Sequence, residues 1–449
     1  MIRLDNLNYR TFSVGLLVLA ISLAPRIPLP FNIPGRVFDL RLEDIIISLI
    51  VIALVLNFVV RGRSNTKFFS VPLIKPIGVY CLIVILTTNI TLMFHSNLLD
   101  TMAFLRILLY TLKQIELFLI FFIVANFIKT ESEIKLIGHT ILIAGILNIL
   151  WVLCQLITGR YGPIVKIDVS GAAFQHAGRF ATYGTTLMGE FSPFSIVTFF
   201  GMITYWFFGY SYIVYRKKII KSSICLWTGI ICFICSALTA EKISIIYFII
   251  GVLMIVFLDF KKSTRFIIFI LLFILFVLSI SDYLINLVSA LERMHMVGYM
   301  GGIAERKQVV DELLATLGTF KNYNFLLGFG KGGNIWIGNQ EVLFGEAHNG
   351  YFRLIIESGI FGFITFIGLL MQIGLLCIKT FKNSLLNITK VVSFSTFCAL
   401  LAISIAANVQ DAFTSVLPNE LFWAFVGLTV AAYKIEIIES NKLRNSIEA

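Results

Sequence analysis

Charge is scarce in this chain. Asp, Glu, Lys and Arg make up 14% of its 449 residues, where a soluble domain carries about 25%. Set against 58% hydrophobic residues and 42 Phe, that shortage excludes an ordinary soluble globular protein. Cys/His clusters with metal-ligand spacing are lacking as well. Cys232 and Cys235 form a CxxC, but inside ICLWTGIICFICSAL, where small buried hydrophobes are the plain reading. There is no internal repeat at periods of about 20–50 residues, no low-complexity tract and no clear inverted pair of broken helices. The formal net charge of +11 does not point to nucleic acid, because the basic residues form no single patch and fall in short clusters between apolar runs.

What the chain does have is long apolar runs along its whole length. A spanning helix needs roughly 20 mostly apolar residues, which predicts an all-α integral membrane protein of about twelve transmembrane helices. The runs lie near 11–29, 42–60, 73–93, 104–128, 134–158, 186–214, 219–237, 242–258, 266–285, 350–378, 391–410 and 415–433. The first is interrupted by prolines in APRIPLP. Arg3 and Arg10 ahead of TFSVGLLVLAISLA have the look of a signal peptide, but no clear small-residue cleavage site follows, so an uncleaved first helix is expected. Residues 1–449 read as a single polytopic domain.

Loop charge gives the orientation. Arg61, Arg63, Lys67 and Lys75, then Lys129 and Lys135, then Arg216, Lys217, Lys218 and Lys221 fall on one side. Lys261, Lys262 and Arg265, then Lys379, Lys382 and Lys390 continue the pattern. The positive-inside rule makes that side and both termini cytoplasmic. Two outward segments stand out: 159–185, which holds Arg179, and 286–349, much the longest loop, which ends at His348. Functional groups tend to sit on loops held by a rigid scaffold.

Within the long loop, AERKQVVDELLATLGTF carries a stripe of Val310, Leu313, Leu314 and Leu317, which predicts an amphipathic outer helix. Arg306 lies in line with that stripe, whereas Glu305, Lys307, Asp311 and Glu312 fall off it. Such a helix on the membrane surface aims Arg306 at headgroup depth, where a lipid phosphate sits; the bland alternative is a snorkelling arginine. Arg179 lies in SGAAFQHAGRFATYG, whose small residues let an arginine approach a bulky anion; an ordinary solvated arginine is the alternative. His176 reads as a bystander, and Arg106, at the outer start of the fourth span, as an anion contact or no more than an interfacial anchor. GFGKGGN, 328–334, has the glycines of a phosphate loop without a Walker-type Lys-Ser/Thr pair, so a flexible loop is expected.

His348 stands at the outer N-terminus of the tenth span. The helix dipole there disfavours imidazolium, and a neutral imidazole can take a proton from a hydroxyl. Asn349 is a competent N-cap. Arg353 and Glu357, four apart on one face, predict a mutually satisfied pair inside the apolar segment.

AHNGYFRLIIESGIFGF resembles the His-Asn, then Glu-x-Gly-x-x-Gly signature of the O-antigen ligase and O-antigen polymerase superfamily. Upstream, AGRFATYG is similar to the family's Gly-Arg loop, ERKQVVDELLATLGTF to its Arg-bearing outer helix, and NFLLGFGKG to the Leu-x-Gly-x-Gly turn that follows. The resemblance covers roughly residues 170 to 375. Two departures stand out: GEFSPFS replaces the usual Asn-Pro-Asn, and LTAEKIS puts Lys242 where the family has arginine. The resemblance implies a GT-C-like helical fold and glycosyl transfer that needs no metal and no cofactor, on the outer face of the bacterial cytoplasmic (inner) membrane. The implied donor is a glycan on a polyprenyl diphosphate. The family's essential histidine falls on His348 and its loop arginines on Arg179 and Arg306.

These readings lead first to an O-antigen or related surface-polysaccharide polymerase, working on lipid-linked oligosaccharides beside a chain-length regulator. His348 is its base, and Arg179, Arg306, Arg106 and Asn349 are its substrate contacts. The nearest alternative is the ligase that moves a finished chain to lipid A core; it is placed second because it demands one specific acceptor. A flippase for the same lipid-linked glycan is more remote. It calls for charge at mid-membrane, which only Lys113 and Glu116 offer, and these two can neutralise each other. A structural scaffold leaves the outer arginines unexplained.

Overall fold

The computed structural model describes residues 9–23, 26–33, 36–61, 71–94, 101–158, 322–331, 350–407, 413 and 416–448. In it α1 spans Tyr9–Leu23. The chain continues as strand β1 (Arg26–Ile33), which pairs antiparallel with β2 (Arg36–Arg41). Arg26 faces Arg41 and Ile33 faces Arg36, with a register shift between Pro28 and Asn32. A two-stranded ribbon accommodates Pro28 and Pro30, because one side of each strand needs no hydrogen-bond donor.

Beyond the hairpin run α2 (Leu42–Arg61), α3 (Ile74–Phe94), α4 (Thr101–Phe127) and α5 (Glu131–Thr158). The short α6 (Asn322–Leu327) comes next, then α7 (Gly350–Asn383), α8 (Asn387–Ala406) and α9 (Val416–Glu448). The expectation of about twelve spanning helices in a GT-C-like fold with an amphipathic outer-loop helix is corrected. Among the described residues there are nine α-helices, five of them long and apolar enough to cross a membrane: Ile74–Phe94, Ile107–Phe127, Gly350–Asn383, Asn387–Ile405 and Asn419–Lys442. Neither a GT-C-like arrangement nor the expected amphipathic outer-loop helix is seen among them; the helix described inside 286–349 is the six-residue α6. Hydropathy counts an apolar run whatever its backbone does. The run at 11–29 holds only the 15-residue α1, too short to span. The runs expected at 186–214, 219–237, 242–258 and 266–285 lie outside the described residues, as does the stretch 304–320 of the expected loop helix. The described helices make a multi-pass membrane protein.

The helices meet around aromatic rings. Trp423 on α9 packs edge-on against Phe118 (4.8 Å between centroids) and Phe121 (6.3 Å) on α4. Tyr80 on α3 bridges Phe118 on α4 (5.9 Å) and Phe366 on α7 (5.0 Å). All but the tilted Tyr80–Phe366 pair are edge-to-face, an arrangement that adds about 0.5–1.5 kcal/mol beyond area burial. Gly427 lets α9 touch α4: a Cβ there would stand 2.8 Å from Val124 Cβ and 2.9 Å from the Phe121 carbonyl oxygen. Small residues that bring backbones together are how helices associate where lipid removes the hydrophobic drive.

Candidate functional site

Two glycines in contact build the best-described part of the site. α7 is interrupted at Gly359 (φ 65°, ψ −175°), a backbone state that favours glycine. Gly328, just after α6, is also left-handed, at φ 79°. A Cβ on Gly328 would stand 2.5 Å from the Gly359 nitrogen and 2.6 Å from the Ser358 nitrogen, so any side chain there collides with backbone. The interruption leaves the Ile356 carbonyl to accept a hydrogen bond from the Phe329 N–H at 2.8 Å. On the other side, Gly330 (φ 77°) backs onto Thr88 of α3, whose Cα lies 3.3 Å from where a Cβ would be.

This contact carries Lys331 into the interior. Its ammonium nitrogen lies 2.9 Å from Glu357 Oε2, and Arg353 Nε lies 3.0 Å from Glu357 Oε1. All three side chains are buried. Burial is the largest influence on the Lys331 pKa and lowers it, but Glu357 and Tyr80 together outweigh it, and the net direction is upward. Lys331 therefore stays an ammonium. The expected Arg353–Glu357 pair is present and has gained a second cation. The expected flexible loop is corrected over Gly328–Lys331, because the turn is pinned by backbone contact and an ion pair. The missed partner had one signal in the sequence: a carboxylate within an apolar helix has two oxygens to satisfy, and Arg353 Nε takes one.

The start of α7 is fastened separately. The Gly350 N–H donates to the Ala407 carbonyl at 2.7 Å, and the Tyr351 hydroxyl donates to the Ser404 carbonyl at 2.7 Å. Both bonds tie it to the end of α8. His348 and Asn349 immediately precede Gly350 in the chain and lie outside the described residues, as do Arg179 and Arg306. Arg106 is in the first part of α4. Its side chain lies outside the described part of the structure.

A second polar cluster joins α2, α4 and α9. Lys113 Nζ lies 2.6 Å from Asp44 Oδ1, 2.9 Å from Glu116 Oε2 and 2.8 Å from Glu420 Oε1. Arg41 Nη1 stands 3.6 Å from Glu43 and 3.9 Å from Glu420. The expected Lys113–Glu116 pair is thus part of a larger network. Glu43, Asp44 and Glu420 each place one oxygen within 4.8 Å of the others, a spacing that suits a metal ion. The Lys113 ammonium already takes Asp44 Oδ1 and Glu420 Oε1, so the central cation of this group is an amine. Of its three partners Glu420 is buried and Asp44 and Glu116 are partly exposed; without Lys113 the buried Glu420 keeps only Arg41, at 3.9 Å, and breaking a buried pair typically costs up to about 3–5 kcal/mol. Lys113→Met is expected to lower unfolding stability in detergent by roughly that amount. Glu420→Gln, which relieves crowding among four carboxylates, is expected to cost less, and thermal unfolding of the two variants checks the order.

A family model described as O-antigen ligase matches residues 227–367. That stretch contains Arg306, Lys331, His348, Asn349, Arg353 and Glu357, and leaves Arg106 and Arg179 outside. The match supports membership in the polysaccharide polymerase and ligase superfamily and an enzymatic, glycan-transferring role, without separating polymerase from ligase. No curated protein matches the chain.

Proposed function

We propose that the protein is an integral-membrane glycosyltransferase that moves a glycan from a polyprenyl diphosphate to an acceptor hydroxyl at the outer face of the cytoplasmic membrane. The observation that carries this reading is the family match over 227–367, because the match spans His348 and Arg306 together with the locked Gly328–Lys331 turn. The loop-charge pattern supports an orientation with both termini inside and the segments 159–185 and 286–349 outside.

The chemistry is a displacement at the anomeric carbon with inversion. The acceptor oxygen forms the new bond to that carbon, and the bond to the diphosphate oxygen breaks. His348, as a neutral imidazole, takes the acceptor proton. Arg179 and Arg306 meet the charge that collects on the departing polyprenyl diphosphate. Arg106 and Asn349 serve as further substrate contacts. No nucleotide is consumed, since the drive comes from the diphosphate bond of the donor.

The matching family's printed description favours a ligase, so transfer to lipid A core now stands ahead of polymerisation. The polymerase remains the second reading, on the same motifs, and would work beside a chain-length regulator. Purified protein supplied with a lipid-linked glycan and two acceptors separates them. A ligase transfers once, to lipid A core oligosaccharide. A polymerase yields a ladder of lengthened chains on the lipid carrier. Glycan transfer to neither acceptor would count against both.

A further inference from the structure

The buried Glu357 and its two cations stand apart from the chemistry assigned to His348, and the geometry points to a use for them. We propose that Glu357 is a positioning residue: by pairing Lys331 it locks the Gly328–Lys331 turn onto the first part of α7 and so fixes the placement of His348. This rests on the glycan-transfer reading above and adds a residue to it.

The physical case begins with the interruption at Gly359. A continuous helix carries its own N-terminal turns rigidly. Here the Gly350–Ser358 piece is cut from the rest of α7, so its direction depends on what holds it from outside. Two bonds hold its start to α8, through Gly350 and Tyr351. Its other end is held by the turn that enters the break, through the Phe329–Ile356 hydrogen bond of 2.8 Å, the Gly328–Gly359 backbone contact and the Lys331–Glu357 pair. Only the last of these depends on side chains. Glu357 uses one oxygen for Lys331, on the turn, and the other for Arg353, on its own helix. Its carboxylate therefore cannot swing without giving up one of these two contacts.

Glu357 is seven residues along the helix from Gly350, about 10 Å at 1.5 Å per residue, and is buried on Lys331 and Arg353, so it is assigned no contact with substrate. Its influence must pass through the placement of the helix start. A misplacement of about 1 Å at a reacting group can cost 10²-fold in rate, so a modest tilt of this short piece is enough.

The test uses full-length protein, purified in detergent, with lipid-linked glycan as donor. Glu357→Gln keeps the shape and an acceptor oxygen but loses the charge that holds Lys331. It is expected to lower kcat by about 10–10² while leaving the donor KM within about twofold. Lys331→Arg should largely retain activity, because it restores a cation to the same carboxylate. The decisive arm is a double-mutant cycle. In a His348→Ala background Glu357→Gln should have little further effect, since a positioning residue has nothing left to position. An equal fractional loss in both backgrounds would overturn the proposal, and so would full kcat in Glu357→Gln. If Glu357→Gln does not yield folded protein, Lys331→Met, which leaves Arg353 paired, carries the same expectations and the same contrary results. Absence of transfer by the wild-type protein would instead defeat the glycan-transfer reading, which keeps the two failures distinct.

Discussion

Glycan transfer by His348→Ala is expected to fall by about 10²–10⁴, the range that general-base assistance supplies. At 1.4 kcal/mol per decade this is roughly 3–5 kcal/mol of barrier. The loss should appear in kcat rather than in donor binding, because an acceptor proton moves only in the transition state. Protein yield and helical content should stay at wild-type levels, since the described anchors of the α7 start are Gly350 and Tyr351 rather than His348. The measurement is initial rate with lipid-linked donor, alongside circular dichroism of the purified variant. In cells the donor should accumulate with its glycan still attached. A near-normal rate would remove the base assignment.

Arg306→Lys is expected to impair transfer clearly, although it preserves the charge. A guanidinium offers a planar fork of donors that matches two phosphate oxygens at once, whereas an ammonium acts as a point charge. Removing one donor aimed at developing negative charge typically costs about 10²–10³ in rate, and Arg306→Ala should reach that range. Arg179 is expected to behave in the same way, as the second contact to the diphosphate. Lys307→Ala supplies the contrast: Lys307 falls off the Val310–Leu313–Leu317 stripe, so its loss should change the rate little. Equal tolerance at Arg306 and Lys307 would mean that Arg306 only snorkels.

The long apolar runs were legible in the sequence because lipid imposes a length and a composition on anything that crosses it. Expected runs at 73–93, 104–128, 350–378, 391–410 and 415–433 correspond to α3, α4, α7, α8 and α9 within several residues at most ends. The total of twelve was not secured that way. At the first run the described helix is α1 (Tyr9–Leu23), and Arg26–Ile33 is a strand paired with β2, so the run is not one continuous helix. The break at Gly359 escaped hydropathy for a similar reason, since a window over the mainly apolar 359–378 registers composition and not the φ of one glycine.

Within the site, legibility followed sequence separation. Arg353 and Glu357 are a helical turn apart, and their pairing follows from the helix repeat. Lys331 reaches Glu357 across 26 positions and Lys113 reaches Asp44 across 69; no periodicity encodes either contact. In sequence the glycines of LLGFGK suggest freedom. In the fold they serve close approach, because only a residue without a Cβ lets Gly328 lie against Gly359. The His-Asn and Gly-Arg motifs remain sequence inferences about residues outside the described part of the chain.

The most direct test of the account is a reconstituted reaction. Purified protein is mixed with a polyprenyl-diphosphate-linked glycan and acceptor, with no nucleotide sugar present, and both products are followed. The account predicts that free polyprenyl diphosphate and lengthened acceptor appear in equal amounts, and that His348→Ala yields neither at a comparable rate. A glycan that stays on its lipid carrier in the presence of active, folded wild-type protein would contradict it.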